Sequence, residues 1–125
     1  MFIIFVSYQK PLEEVDAHLA AHIAFLKENY AKGTFLASGR QNPRTGGIIL
    51  ARASSKQEIE ALVTHDPFYV HRVATYTVTE FIPSMTAPEL TFLADCEKNF
   101  DMSKGENAVF PFALASYSKT RRNHG

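Results

Sequence analysis

Residues 2 to 8 read Phe-Ile-Ile-Phe-Val-Ser-Tyr, apolar, β-branched or aromatic almost without a break. Such a run predicts a strand whose two faces are both covered. The rhythm then changes to steps of three and four: Leu12, Val15, Leu19, Ile23, Leu26 and Tyr30 predict one amphipathic helix with that stripe facing the core. Pro11 suits its first turn, Glu13, Glu14 and Asp16 its positive end, and Gly33 stands just past its last turn. At about 100° per residue, His22 falls roughly 60° from the centre of the stripe, at the core edge, and His18 roughly 100° away, in wetter surroundings.

Two short strands are predicted next, Thr34 to Ser38 and Gly47 to Ala53, joined by a turn around Asn42-Pro43 and Gly46-Gly47. Ser54 or Ser55 opens a second helix, with Glu58 placed for a capping box and Ile59, Leu62 and Val63 inward. A last strand runs from Arg72 to Ile82, alternating through Ala74, Tyr76 and Val78, and Pro83 stops it. The order βαββαβ predicts an α+β, ferredoxin-like domain, a four-stranded antiparallel sheet with two helices on one face. The strands are apolar on both sides, so the open face calls for a second subunit laid sheet to sheet. A homodimer, or a larger assembly built from it, is therefore expected.

Beyond residue 83 the pattern loosens. Pro88 to Lys98 suits a short helix with Leu90 and Leu93 inward, the run 108–114 is apolar enough to dock, and 119–125 reads as a frayed end. The expected division is a domain over residues 1–95 and a C-terminal extension over 96–125.

Composition narrows the function. With 125 residues there is room for one domain with a sizeable core. The 13 basic and 13 acidic side chains cancel, so no global field draws in nucleic acid or an anionic membrane. The apolar opening run is too short to span a bilayer and lacks the features of a signal peptide. A soluble, cytoplasmic protein is expected, and the single cysteine, Cys96, leaves no internal disulfide.

Chemistry concentrates in His65-Asp66-Pro67-Phe68-Tyr69-Val70-His71, with His22 the distant group expected to meet it. Asp followed by Pro at a helix start is an N-cap, its carboxylate accepting backbone N–H bonds. A second carboxylate oxygen remains to orient an imidazole, which titrates near physiological pH. Arg40 and Arg44 flank the turn and suit a substrate carboxylate or phenolate, and Phe25, Phe68 and Tyr69 suit the walls of a pocket for a flat ring. His18 and His22, four apart, permit a divalent ion completed by Asp66, His65 or His71, but there is no HExxH signature and no metal is expected. No phosphate-cradling glycine loop is present, and no organic cofactor is expected.

Several stretches in this order resemble the YciI-like (YCII-related) family of dimeric α+β barrel proteins. They are the first strand, Ala21-His22-Ile23-Ala24-Phe25-Leu26, Phe35-Leu36-Ala37-Ser38-Gly39 followed by Asn42-Pro43-Arg44-Thr45-Gly46-Gly47, and Asp66-Pro67-Phe68. The resemblance spans residues 1 to about 95. It departs at Arg40, where the family's glycine is usually followed by proline, and in the chain beyond Asp95. It implies the ferredoxin-like fold, the sheet-to-sheet dimer, and an active site centred on a His and an Asp, carried here by His22 and Asp66. The function expected is cofactor-free proton transfer on a small cyclic or enolisable molecule, of isomerase, lyase or dehydrohalogenase type. In that role His22 is the acid/base, Asp66 its support, and Ser38, Arg40, Arg44 and Phe68 bind the ligand. The alternative is a module that binds a small metabolite without changing it.

Overall fold

The structure is a computed structural model and describes residues 1–94; the runs 108–114 and 119–125, and Cys96, lie outside the described residues. Residues Phe2–Glu80 form one compact unit. Its elements are β1 (Phe2–Tyr8), α1 (Leu12–Ala17), α2 (Leu19–Ala31), β2 (Phe35–Arg40), β3 (Gly46–Ala51), α3 (Lys56–Val63), α4 (Pro67–Val70) and β4 (Ala74–Glu80). The four strands make one antiparallel sheet in the order β2-β3-β1-β4, which is the α+β, ferredoxin-like arrangement.

Register decides what faces the helices. Ile4 on β1 lies opposite Ile49 and Val78, and Val6 opposite Gly47 and Tyr76. Phe2, Ile4, Val6, Phe35, Ile49, Ala51 and Val78 therefore join Val15, Phe25, Ile59, Val63 and Phe68 in one core. Ile3 lies opposite Leu50 and Phe5 opposite Ile48, so these four gather on the open face, beside the exposed Thr75, Thr77 and Thr79 of β4. Side-chain period two makes that separation automatic once the register is set.

The predicted first helix differs in two ways. It breaks at His18 (φ −111°, ψ 7°) into α1 and α2, and its inward line follows only part of the predicted stripe: Val15 is in the core and Leu19 and Leu26 pack against it. Leu12, Ile23 and Tyr30 are exposed, while Val15, Phe25 and Asn29 are buried and the His22 side chain is only 12 % exposed. The reason is polar satisfaction. Asn29 donates from Nδ2 to the Phe25 carbonyl at 2.9 Å, and His22 has an internal partner in Asp66, so both enter at little cost. Ile23 instead lines an open cavity. Gly33 ends α2 in the left-handed region at φ 80°, where an L side chain would be strained.

The other elements follow the predicted devices. Ser55 caps α3, its Oγ accepting from the Glu58 N–H at 3.2 Å. Gly46 admits no side chain, because a Cβ there would meet the Val6 carbonyl oxygen at 1.8 Å. Among the described residues, Met1 and residues 81–94 belong to a second unit. Within it the Phe81 N–H donates to the Met1 carbonyl at 2.9 Å. Pro88–Leu90 is a 3₁₀ turn that leads into helical residues 91–94; Leu90 is exposed rather than inward, while Leu93 is half-buried and Thr91 and Ala94 are buried.

Candidate functional site

Asp66 sits between α3 and α4 with no exposure. Its position comes from the Asp-Pro cap: the backbone is extended (φ −67°, ψ 130°), Pro67 occupies the first turn of α4, and Oδ1 accepts from the Phe68 N–H at 3.0 Å. The cap leaves the carboxylate further lone pairs, and two side chains use them. His22 Nδ1 lies 2.8 Å from Oδ1 and 2.9 Å from Oδ2, and the Tyr76 hydroxyl donates to Oδ2 at 2.6 Å. One carboxylate thus caps a helix and holds an imidazole together.

An ionised carboxylate can only accept, so Nδ1 carries the proton in this contact. In the neutral ring Nε2 is then a bare lone pair. The ring is clamped further by Phe68, stacked on it at 4.0 Å between centroids and 6° between planes. Tyr8 meets Phe68 edge-on at 6.0 Å. Burial first, and then the negative charge of Asp66, push the Tyr76 phenol far above the usual tyrosine range, so Tyr76 stays a donor at every pH at which the fold persists.

His22 and Phe68 line a cavity of about 410 Å³ between the helices and the sheet. Its apolar walls include Val6, Leu19, Ile23, Leu26 and Ile49, and its polar groups are Tyr8, Asp16, Ser38, Arg40 and Arg44. The volume suits a small organic molecule. The Ser38 hydroxyl lies 2.6 Å from the Tyr30 hydroxyl. Arg44 donates to Asp16 Oδ1 at 2.5 Å, which holds the Asp16 carboxyl below its ordinary range and the guanidinium above its own. The Arg44 guanidinium also lies over the Tyr8 ring, 5.6 Å from its centroid. Arg40 is exposed at the mouth.

Of the residues singled out from the sequence, His22, Ser38, Arg40, Arg44 and Phe68 line the cavity and Asp66 lies behind His22, whereas Phe25 is buried in the core and Tyr69 is exposed, and neither forms a wall of it. The face of Phe68 toward α2 is covered by the imidazole, so this ring steadies His22 as well as forming wall. His65 is exposed, and His18 stacks on His71 at 3.9 Å instead of converging with His22. Among the described residues no three His, Cys, Asp or Glu side chains gather as a metal would need. Sequence reasoning missed Tyr76 as a partner of Asp66, Asp16 as the anchor of Arg44, and Tyr8 and Tyr30. The alternation of β4 had already turned Tyr76 inward; what it lacked was the position of Asp66.

The family model of the YCII-related domain matches residues 1–82. Among solved structures, the chain is similar to TftG from Burkholderia phenoliruptrix AC1100, a 5-chloro-2-hydroxyhydroquinone dehydrochlorinase in complex with 2,5-dihydroxybenzoquinone. The two share 22 % identity and a TM-score of 0.55, over 65 % of this chain and 93 % of that one; at this identity the likeness concerns the fold. No curated protein matches the chain. No helix among the described residues is long and apolar enough to cross a membrane.

Proposed function

Since the chain belongs to the YCII-related domain family, we propose that it is a small cytoplasmic enzyme that moves a proton on a small cyclic or enolisable molecule without an organic cofactor. His22 is the acid/base, acting through Nε2. Asp66 holds the proton on Nδ1 and balances the imidazolium that forms in the reaction. The observation that carries this reading is the His22 ring itself, which lines the cavity on one side and rests on a fully buried carboxylate at 2.8 Å on the other. Such an arrangement gives the imidazole one tautomer and one direction.

Ser38, Arg40, Arg44 and the edge of Phe68 bind the substrate. Arg40 is the cation at the mouth with no partner among the described residues, and it suits an enolate or phenolate oxygen as charge develops there. Arg44, fixed by Asp16, adds positive potential at shorter range. Apolar walls exclude water from the reacting carbon. Isomerisation, elimination and dehydrohalogenation share this demand for a base on one side and an anion-stabilising group on the other. The fold likeness to TftG, a dehydrochlorinase by name, is compatible with the last of these. We also infer a two-fold dimer through the open sheet face, where Ile3, Phe5, Ile48 and Leu50 gather; a monodisperse monomer in sedimentation at micromolar concentration would overturn it.

The test is metabolite profiling against the wild-type protein and His22→Ala, followed by steady-state kinetics on any compound consumed. Loss of the general base lowers kcat by about 10²- to 10⁴-fold, with a wild-type rate that rises as His22 loses its proton. A compound that binds both proteins equally, without product and without pH dependence, leaves a metabolite-binding module in place of an enzyme.

A further inference from the structure

The proposed mechanism uses His22 and Asp66 and leaves unexplained why the buried carboxylate receives a third donor. Tyr76 lies on the inward side of β4, opposite Val6 in the sheet register. Its hydroxyl reaches Asp66 Oδ2 at 2.6 Å, a short contact of the charge-assisted kind. The Phe68 N–H is already sufficient for the cap on Oδ1, so helix capping does not require the phenol. The ring is half-buried and tilts against the exposed Tyr69, 5.8 Å between centroids. Packing would be met equally by phenylalanine, and only the hydroxyl touches the site.

We infer that Tyr76 is a positioning residue that sets how firmly His22 holds its proton, by sharing the negative charge of Asp66 with the imidazole. A carboxylate that donates its lone pairs to two strong partners gives each less than it would give one. The other titratable groups facing the cavity side of His22 are Tyr8 on β1, Asp16 on α1, Arg40 on β2 and Arg44 in the turn. His18 and His71 stack on each other nearby, at the α1–α2 junction and the end of α4. None of these hydrogen-bonds to Asp66 among the described residues, so Tyr76 is the side chain through which the dyad is tuned. The inference rests on His22 being the proton-transfer group, but its test needs no substrate.

The experiment is an NMR titration of the His22 ring nitrogens in the ligand-free full chain, comparing wild type with Tyr76→Phe. Removal of the hydroxyl leaves Asp66 to the imidazole and the Phe68 N–H, so the His22 midpoint rises by about half to one pH unit. A second variant keeps the ring and the donor: 3,5-difluorotyrosine at position 76 is a stronger acid and a stronger donor, and moves the midpoint down. Opposite movements in the two variants support the inference, because a merely structural role moves neither. An unchanged midpoint in both, or movement in the same direction in both, overturns it. If Tyr76→Phe fails to fold, the fluorinated protein alone decides, by a downward movement or its absence. Opposite movements in a protein that never turns over any compound would sink the enzymatic reading and leave the tuning by Tyr76 intact.

Discussion

Replacement of Asp66 by asparagine changes one charge and almost no volume, yet it alters every contact that the side chain makes. The carboxylate accepts from three donors, the Phe68 N–H, His22 Nδ1 and the Tyr76 hydroxyl, with no exposure to water. Hydrogen bonds to a charged partner contribute about 1.5–3 kcal/mol each and neutral ones about 0.5–1.5. Making three of them neutral removes roughly 3–4 kcal/mol, and relief from burying a charge returns part of it. A net loss of about 1–3 kcal/mol is expected, a fall in Tm of roughly 5–15 °C for a domain of this size. The amide oxygen takes the Oδ1 place, where it still accepts from the Phe68 N–H and from His22 Nδ1, and the amide N–H₂ takes the Oδ2 place, where it meets the Tyr76 hydroxyl and can no longer accept. The imidazolium that forms in the reaction then lacks a neighbouring negative charge, and the rate of a base-dependent step falls by about 10²- to 10⁴-fold. Differential scanning calorimetry measures the first effect and steady-state kinetics the second. Asp66→Asn with wild-type Tm and wild-type rate would refute the assignment of Asp66 as the charged support of His22.

Other outcomes rest on single distances and charges. Gly46→Ala drives a Cβ onto the Val6 carbonyl oxygen at the β1–β3 pairing and is expected to lose more than about 3 kcal/mol in denaturant unfolding, whereas Gly39→Ala, with nothing within 4 Å, leaves the fold intact. Asp16 is held below the ordinary carboxylate value of 3.8 by the Arg44 hydrogen bond, so the pair is complete above that value and is lost as pH falls through the lowered one. The Tyr8 ring resonances, under the Arg44 guanidinium, should report this release, and Asp16→Asn should show it at all pH. Tyr76 is raised above the ordinary tyrosine value of 10.0. Its contribution to stability is therefore whole below pH 10 and is lost as pH rises beyond it. Thermal unfolding above pH 10 should be less steeply pH-dependent in Tyr76→Phe than in wild type, and equal slopes would contradict the burial of the phenol.

Local chemistry carried much of this fold to the surface of the sequence. The unbroken apolar run of β1, the Ser55 cap, the stop at Gly33 and the Asp66-Pro67 start each depend on neighbours within a few residues, and each stands where the pattern put it. Period-two alternation likewise told which residues of β4 turn inward, Tyr76 among them. In the first helix periodicity placed Val15, Leu19 and Leu26 inward and misled at other positions, because it ranks them by hydrophobicity alone. His22 and Asn29 are polar by type and buried in fact, one satisfied by a carboxylate 44 residues along the chain and the other by its own helix. Ile23 is apolar by type and borders a cavity. The resemblance to a family brought His22 and Asp66 together on paper, but only tertiary structure set the imidazole on the carboxylate, added Tyr76 as the third donor and turned Arg44 to Asp16. These contacts join residues far apart in sequence, and their geometry is decided by how α2 and α4 pack on the sheet. Propensity and pattern describe one segment at a time; the chemistry of this site is a property of where several segments meet.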